Sequence, residues 1–582
     1  MTNVDAVDQL RASGVGHGDL VALAFAPGVG VAMATTGRSC SVPAAVADPV
    51  NVVRDVEREL RPRWVMWSHA TAVALVDDGV RVATAWDIAA VHRLIFGGGH
   101  ADPARVWAQL HDLPLDALPN AGPPDLFTHA EYGDDDPDAP TRRDGYLGPD
   151  WIDGGWSKTL EHLARWAELA AIVAGYQQAR LAGLADPQRA AMTARTESAA
   201  ELLCAELSVD GLPVDRTVAD ALIAALVGPR PRNDADTVAQ RARRDADVLR
   251  HAPPGVECDL RSPEQVKSLL RSVGVEVPDT RAWRLEKLRD MHPLVDALLT
   301  WRKAERVSTT YGYVWLDEHV RADGRLRGEW SGSDGAAGRM TASAGLHNMP
   351  ADMRDAVVAE AGHVFVRADL GQIEPRVLAA VSGDAALALA TLEDDLYAPV
   401  AQQLGVDRPT AKVAVLGAMY GQTTGHGARA LRGLESAYPV AMTYLREADQ
   451  AGQFRRELRT YGGRLIPMGS ASTDDEMNER DARARAAARG RYGRNARIQG
   501  AAAELFKAWA VTVRARALPF DARIVLCLHD ELLVQAPAGR GDDVAHLLDA
   551  CLQEAAHRWA PDDRVRFVAD ISVIRRWSDA KE

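Results

Sequence analysis

Residues 363–384 read HVFVRADLGQIEPRVLAAVSGD, and two periodicities meet in them. Val364, Val366 and Ala368 alternate with Phe365, Arg367 and Asp369, a period-2 strand that ends on a carboxylate. Past it, Ile373, Val377 and Leu378 take helical spacing, so the strand runs into a helix whose first turns hold Gln372, Glu374 and Arg376. Pro375 falls in the first turn, where a missing N–H is tolerated. Asp369 at this junction is either a helix N-cap or a ligand for a cation.

Two further stretches carry the same kind of chemistry. CLHDELLVQAP (Cys527–Pro537) sets a His and two acids inside an apolar run. An unpaired buried carboxylate is expensive, so His529-Asp530-Glu531 is either a solvated hairpin tip or a place where a cation sits. Side chains alternate along a strand, so one of Asp530 and Glu531 is the better ligand. DRPTAKVAVLGAMYGQ (Asp407–Gln422) predicts a helix with Asp407 as N-cap and Pro409 in its first turn. Residues four apart stack on one face, so Arg408, Lys412, Leu416 and Tyr420 form a ridge of two cations, an apolar residue and a ring. The ridge is either an ordinary amphipathic edge or a seat for a triphosphate, phosphates toward the helix N-terminus. Two carboxylates from separate strands can share a pair of Mg²⁺ ions about 3.5–4 Å apart, with substrate phosphates completing the oxygen shell.

The rest of the chain bounds these readings. Its 582 residues suffice for two to four domains. Hydrophobic residues at 47% and charged residues at 25% are ordinary globular values, which argues against general disorder. No apolar run approaches a membrane span, and MTNVDAVDQLRASG lacks a signal-peptide pattern, so a cytoplasmic location is expected. Cys40, Cys204, Cys258, Cys527 and Cys551 are odd in number and scattered, against a disulfide framework or a zinc site. No GxxxxGK[ST] phosphate loop is present. The net charge of −14 taken alone disfavours nucleic acid. Yet Arg480–Arg497 carries seven arginines against Asp481, either a solvated helix face or a phosphate-contacting surface.

Taken together, the segments resemble family A DNA polymerases of the bacterial DNA polymerase I type. ADLGQIEPRVLAAVSGD is similar to that family's first palm motif, DYSQIELR, and RPTAKVAVLGAMYG to its Arg-x3-Lys-x7-Tyr-Gly fingers helix. LHDELLVQAP resembles its closing His-Asp-Glu motif, and DGAAGRMTASAGLHNMP (Asp334–Pro350) its TATGRLSS…LQNIP segment. RTYGGRLIPM and NARIQGAAAELFK (Asn495–Lys507) resemble its T-x2-GR-x3-P turn and QGTAADxxK helix. The likeness runs in the family's order from about residue 195 to the C-terminus.

The resemblance implies an α+β fold: a right hand of palm, fingers and thumb preceded by a small α/β, RNase H-like exonuclease-type domain. The expected divisions are 1–130 for that domain, 131–156 for an acidic Pro/Gly linker and 157–582 for the polymerase region. Within the last, about 195–330 holds the thumb and connecting helices, 331–385 and 498–582 the palm, and 386–497 the fingers. It implies two Mg²⁺ ions, with Mn²⁺ a possible substitute, held by Asp369 and Asp530, with Glu531 a supporting acid. Arg408 and Lys412 would bind the incoming triphosphate, and Lys412 would also protonate the leaving pyrophosphate. Gln372, Tyr397, Leu416 and Tyr420 would surround the nucleotide, Tyr420 closing over the nascent base pair, while Glu374 would fill the space of a ribose 2′-OH. His529 would contact the primer end; Arg339, Asn495 and Gln499 would touch the minor groove, whose acceptors are shared by all base pairs; Arg491 would also contact DNA. Primer-template DNA and dNTPs are the implied partners of a monomer. Leu416 replaces the usual Phe or Tyr, Tyr397 a His, Leu370-Gly371 a Tyr-Ser, and Pro375 a Leu. None of these changes touches the metal carboxylates, so an active enzyme is expected.

In the N-terminal third, DLVALAFAPGVGVAMA and VATAWDIAAVHRLI resemble a hairpin and a helix of the family's 3′–5′ exonuclease domain. That nuclease needs four carboxylates, and no Asp-x-Glu precedes Asp19, SHATAV (Ser68–Val73) has no acid, and ARWAELA has no Asp. A remnant domain without nuclease activity is expected, the alternative being a bifunctional enzyme with a working exonuclease. No segment answers to the family's separate 5′-nuclease, from which gap filling in replication or repair follows as the expected role.

Overall fold

The computed structural model describes residues 3–35, 41–44, 48–118, 136, 138–421, 427–469 and 479–580. Cys40, Gln422 and residues 131–135 and 137 of the expected linker lie outside them. The chain divides into two compact units: residues 1–210, 329–341 and 362–573 form one, and 211–328, 342–361 and 574–582 the other.

The first unit opens with a five-stranded sheet. The strands are β1 (Leu20–Ala26), β2 (Gly30–Thr35), β3 (Ser41–Ala44), β4 (Arg63–Met66) and β5 (Thr84–Asp87), in the order β3-β2-β1-β4-β5. The expected hairpin is β1–β2, in antiparallel register from Val21↔Thr35 to Ala26↔Gly30. Its turn is made at Gly28, whose φ of 76° suits glycine. Parallel pairing of β1 with β4 and β4 with β5 completes the sheet. Helix α1 (Ile88–Phe96) has Asp87 as its N-cap, which accepts from Ala90 N at 2.8 Å. Helices α2 (Leu160–Ala182) and α3 (Pro187–Asp210) follow. Trp67, Trp86, Leu163, Trp166, Ala170 and Val173 bury one face of the sheet against α2.

The same unit holds a second sheet, of β6 (His363–Leu370), β7 (Arg523–Leu528), β8 (Glu531–Pro537) and β9 (Ala569–Ile574), ordered β7-β8-β6-β9. Phe365, Val366, Ala368 and Leu370 of β6 are buried, as are Leu532, Leu533 and Val534 of β8. Toward the C-terminal end of β6, Arg367 and Asp369 stay partly exposed on one face. Helix α4 (Ile373–Ser382) leaves this end, followed by α5 (Tyr397–Leu404) and α6 (Arg408–Tyr420). Asp407 caps α6, accepting from Thr410 N at 2.8 Å. The Arg-rich segment and the NARIQGAAAELFK segment are parts of one 39-residue helix, α7 (Glu479–Ala517). The expected division at 497/498 therefore lies within a single element. Helix α3 ties the two sheets into one unit: Glu201 binds Arg93 at 2.6 Å, and Glu197 lies 2.6 Å from Arg464 and 2.5 Å from Lys507 of α7.

The second unit is mainly helical. Val266, Leu269 and Leu270 pack with Leu294, Val295 and Leu298 in its core. Strand Leu212–Pro213 pairs antiparallel with Arg325–Leu326.

Candidate active site

Strand register brings the acids together. Asp369 of β6 stands directly opposite Glu531 of β8, so their side chains share a face. His529 and Asp530 form the two-residue turn between β7 and β8, His529 with φ of 34°, and the Asp530 carbonyl accepts from Leu370 N at 2.9 Å. Asp369 is thus a strand residue and not the cap of α4. The cap position belongs to Gln372, which has left-handed φ/ψ and makes no capping hydrogen bond. Burial, then the neighbouring charge of Asp530, pushes the Asp369 carboxyl up to about 6 against the pull of Arg367. Burial likewise raises Asp530, with Glu531 and Glu374 adding to the effect. Neighbouring carboxylates thus disfavour the charged form of both acids.

A cleft of about 260 Å³ opens beside them. Asp530 and His529 line it, with Gln372 and Glu374 from α4, Tyr397 from α5, and Lys412, Leu416 and Tyr420 from α6. Arg339 and Gln499 complete the wall. The predicted ridge of α6 therefore faces this cleft through three of its four members. Arg408, the fourth, is about half exposed and binds the Asp395 carboxylate, with its guanidinium carbon 5.7 Å from the Tyr397 ring centroid. Burial raises the Tyr397 hydroxyl to about 12.

Several side chains are already engaged. The Tyr420 hydroxyl donates to Glu374 Oε2 at 2.7 Å, and Arg339 Nη2 reaches Glu374 Oε1 at 3.4 Å. Burial and the Glu374 carboxylate both raise the Tyr420 hydroxyl above its ordinary range. Burial lowers the His529 imidazole, as does Arg339, so it is neutral near pH 7. Gln372 Oε1 accepts from Leu396 N at 3.2 Å and Arg376 Nη2 at 3.3 Å, which ties it to the loop ahead of α5. On α7, Arg491, Asn495 and Gln499 are spaced four apart and share a face. Gln499 reaches the cleft, Arg491 is exposed, and Asn495 Oδ1 is a buried acceptor with no hydrogen-bond partner among the described residues.

Two residues to which the motif reading gave no role also shape the site. Arg376 is fully buried and donates to the carbonyls of Gly371, Thr391, Glu393 and Asp394, fixing the loop that carries Asp395. Arg367 contacts Asp369 and Glu531. Its place two residues before Asp369, on the same strand face, is a signal that period-2 reading could have used.

The cleft thus lies between a sheet with paired acids and a helix that carries Lys412. The solved POL domain of Pol1 from M. smegmatis, in complex with DNA primer-template and dNTP, superposes with a TM-score of 0.67 over 99% of each chain at 20% identity, so the chain shares the fold of that domain. The model of DNA polymerase family A matches residues 235–579, and the chain belongs to that family. Among its relatives, DNA polymerase I of Deinococcus radiodurans is 26% identical over 375 residues, covering 57% of this chain and 37% of the relative. The thermostable DNA polymerase I of Thermus thermophilus is 31% identical over 338 residues, 52% of this chain and 38% of the relative. The matched part thus spans under two fifths of these relatives' length.

Proposed function

We propose that the chain is a DNA-templated DNA polymerase that adds dNTPs to a primer 3′ end, with residues 331–385 and 498–582 as palm and 386–497 as fingers. One observation carries the reading: Asp530 shares a cleft with Lys412, Tyr420 and Glu374, and Asp369 stands opposite Glu531, the residue next to Asp530. The donor set is all oxygen, as Mg²⁺ prefers, and Mn²⁺ accepts the same ligands. Among the described residues no three His, Cys, Asp or Glu side chains form a ready-made metal cluster. Two carboxylates nonetheless suffice where substrate phosphates supply the other oxygens. Asp369 and Asp530 would hold the ions, which when bound lower the pKa of the attacking hydroxyl and neutralise phosphate charge.

The protein's own groups do the rest. Arg408 and Lys412, on one ridge, neutralise the triphosphate, and Lys412 delivers a proton to the departing pyrophosphate. Tyr420 and Leu416 pack against base and sugar, Tyr397 and Gln372 shape the floor, and Glu374 excludes a 2′-OH. His529, Arg339, Asn495, Gln499 and Arg491 hold the primer-template duplex. Glu531 supports Asp369 from the facing strand.

The N-terminal sheet is read as a nuclease scaffold without its chemistry. Strands β1 to β5 carry one acid between them, Asp87. That residue is buried and spent on capping α1. Gap filling by a monomeric cytoplasmic enzyme is the role proposed from the family; among the described residues no helix is long and apolar enough to cross a membrane.

The test is extension of a labelled primer on a template with Mg²⁺, with and without dNTPs. Extension by the wild type and none by Asp530→Ala supports the assignment; equal extension by both overturns it. Shortening of the primer without dNTPs would restore a working exonuclease.

A further inference from the structure

The open face of β6 carries a cation of its own. Arg367 Nη2 lies 2.6 Å from Asp369 Oδ2, its Nε donates to Glu531 Oε1 at 2.9 Å, and its Nη1 lies 3.4 Å from Asp570 Oδ2. The three acids sit on three adjacent strands, β6, β8 and β9, and the Arg367 side chain is only 11% exposed. This follows from the register. Arg367 and Asp369 are two apart and share a face, and Asp369 stands opposite Glu531. Like charges directly opposite on paired strands are destabilising, and one guanidinium between them removes that cost. Arginine suits the task because its planar fork bridges two carboxylates and stays charged at any working pH.

We propose that Arg367 is an internal counter-cation of this site, a positioning residue that holds Asp369 and Glu531 aligned and competes with a divalent cation for their charge. The inference rests on the reading of Asp369 and Asp530 as metal carboxylates. Arg367 Nη2 draws on Asp369 Oδ2, which lessens the negative charge that this carboxylate offers an incoming ion. Asp369, Glu531 and Asp570 share the one Arg367 charge, so the three acids keep a net negative charge that attracts a divalent ion but binds it less tightly than the bare acids would. Arg367 thus sets the metal concentration at which the site fills.

The experiment is titration of the DNA-free protein with Mn²⁺, followed by loss of the free-ion electron paramagnetic resonance signal. Wild type is compared with Arg367→Met, Arg367→Gln, Arg367→Lys and Asp530→Asn, and a thermal melt of each confirms folding. A charge within about 4–6 Å changes a carboxylate's affinity for a proton by about tenfold or more. Mn²⁺ binding should tighten by a similar factor in the two neutral variants and stay within about threefold of wild type in Arg367→Lys. Unchanged or weaker binding in a folded neutral variant overturns the role of Arg367 while leaving the metal reading intact. Binding that Asp530→Asn fails to weaken overturns the metal reading, and this inference with it.

Discussion

The Tyr420 hydroxyl and the Glu374 carboxylate are hydrogen-bonded at 2.7 Å, which joins the C-terminal end of α6 to the first turn of α4 across the cleft. On the proposed role of Glu374, its replacement by Ala opens the space beside a nucleotide's 2′ carbon and removes the acceptor of the Tyr420 hydroxyl. The expected result is a loss of discrimination between dNTP and rNTP of roughly ten- to a hundredfold, the scale of a packing-based pocket. Single-nucleotide incorporation, compared as kcat/KM for the two sugars, measures it. An unchanged ratio removes Glu374 from sugar selection.

Arg408 is bound by Asp395 rather than held free for substrate. A triphosphate seated on this ridge has to exchange that partner for its own phosphates. Asp395→Asn keeps the oxygen that accepts from Tyr397 N at 3.2 Å but removes the charge. An exposed ion pair contributes about 0.2–1 kcal/mol, so KM for dNTP should fall by up to about fivefold with kcat little changed. A rise in KM in steady-state extension would instead make Asp395 an organiser of Arg408.

Glu504 of α7 is buried, accepts from Gly462 N at 2.8 Å and from Thr460 Oγ1, and burial pushes its carboxyl up to about 7 from an unfolded value of 4.5. The folded state favours the protonated form. Its contribution to stability is therefore fully present below about pH 4.5 and is lost as pH rises through about 7. Glu504→Gln keeps the shape and cannot ionise, so the melting curves of wild type and variant should agree at low pH. Above pH 7 the variant should melt higher, and parallel curves across this window would show Glu504 to be neutral throughout.

Glu197 lies between Arg464 and Lys507, all three buried. Burial alone would raise the Glu197 carboxyl, yet the two cations hold it below its usual range. Glu197→Gln leaves two buried positive charges facing each other and should cost roughly 3–5 kcal/mol in denaturant unfolding. A loss under about 1 kcal/mol would mean that water reaches the pair after relaxation.

Much of the site is local enough to read from the chain. The ridge Arg408–Lys412–Leu416–Tyr420 follows from helical spacing, the Asp407 cap from residue type, and the His529–Asp530 tip from two apolar runs meeting at charges. These features depend on neighbours within a few positions, and backbone geometry alone enforces them. Whether Asp369 was a cap or a strand residue lay beyond that reach, because both place an acid where a strand gives way to a helix. The register Asp369↔Glu531, the bridge by Arg367, the hold of Asp395 on Arg408 and the fusion of two motif segments into α7 were decided by the tertiary structure. The physical reason is that a charge within a sequence declares its sign but not its partner, and sheet pairing selects that partner from strands up to about two hundred residues away.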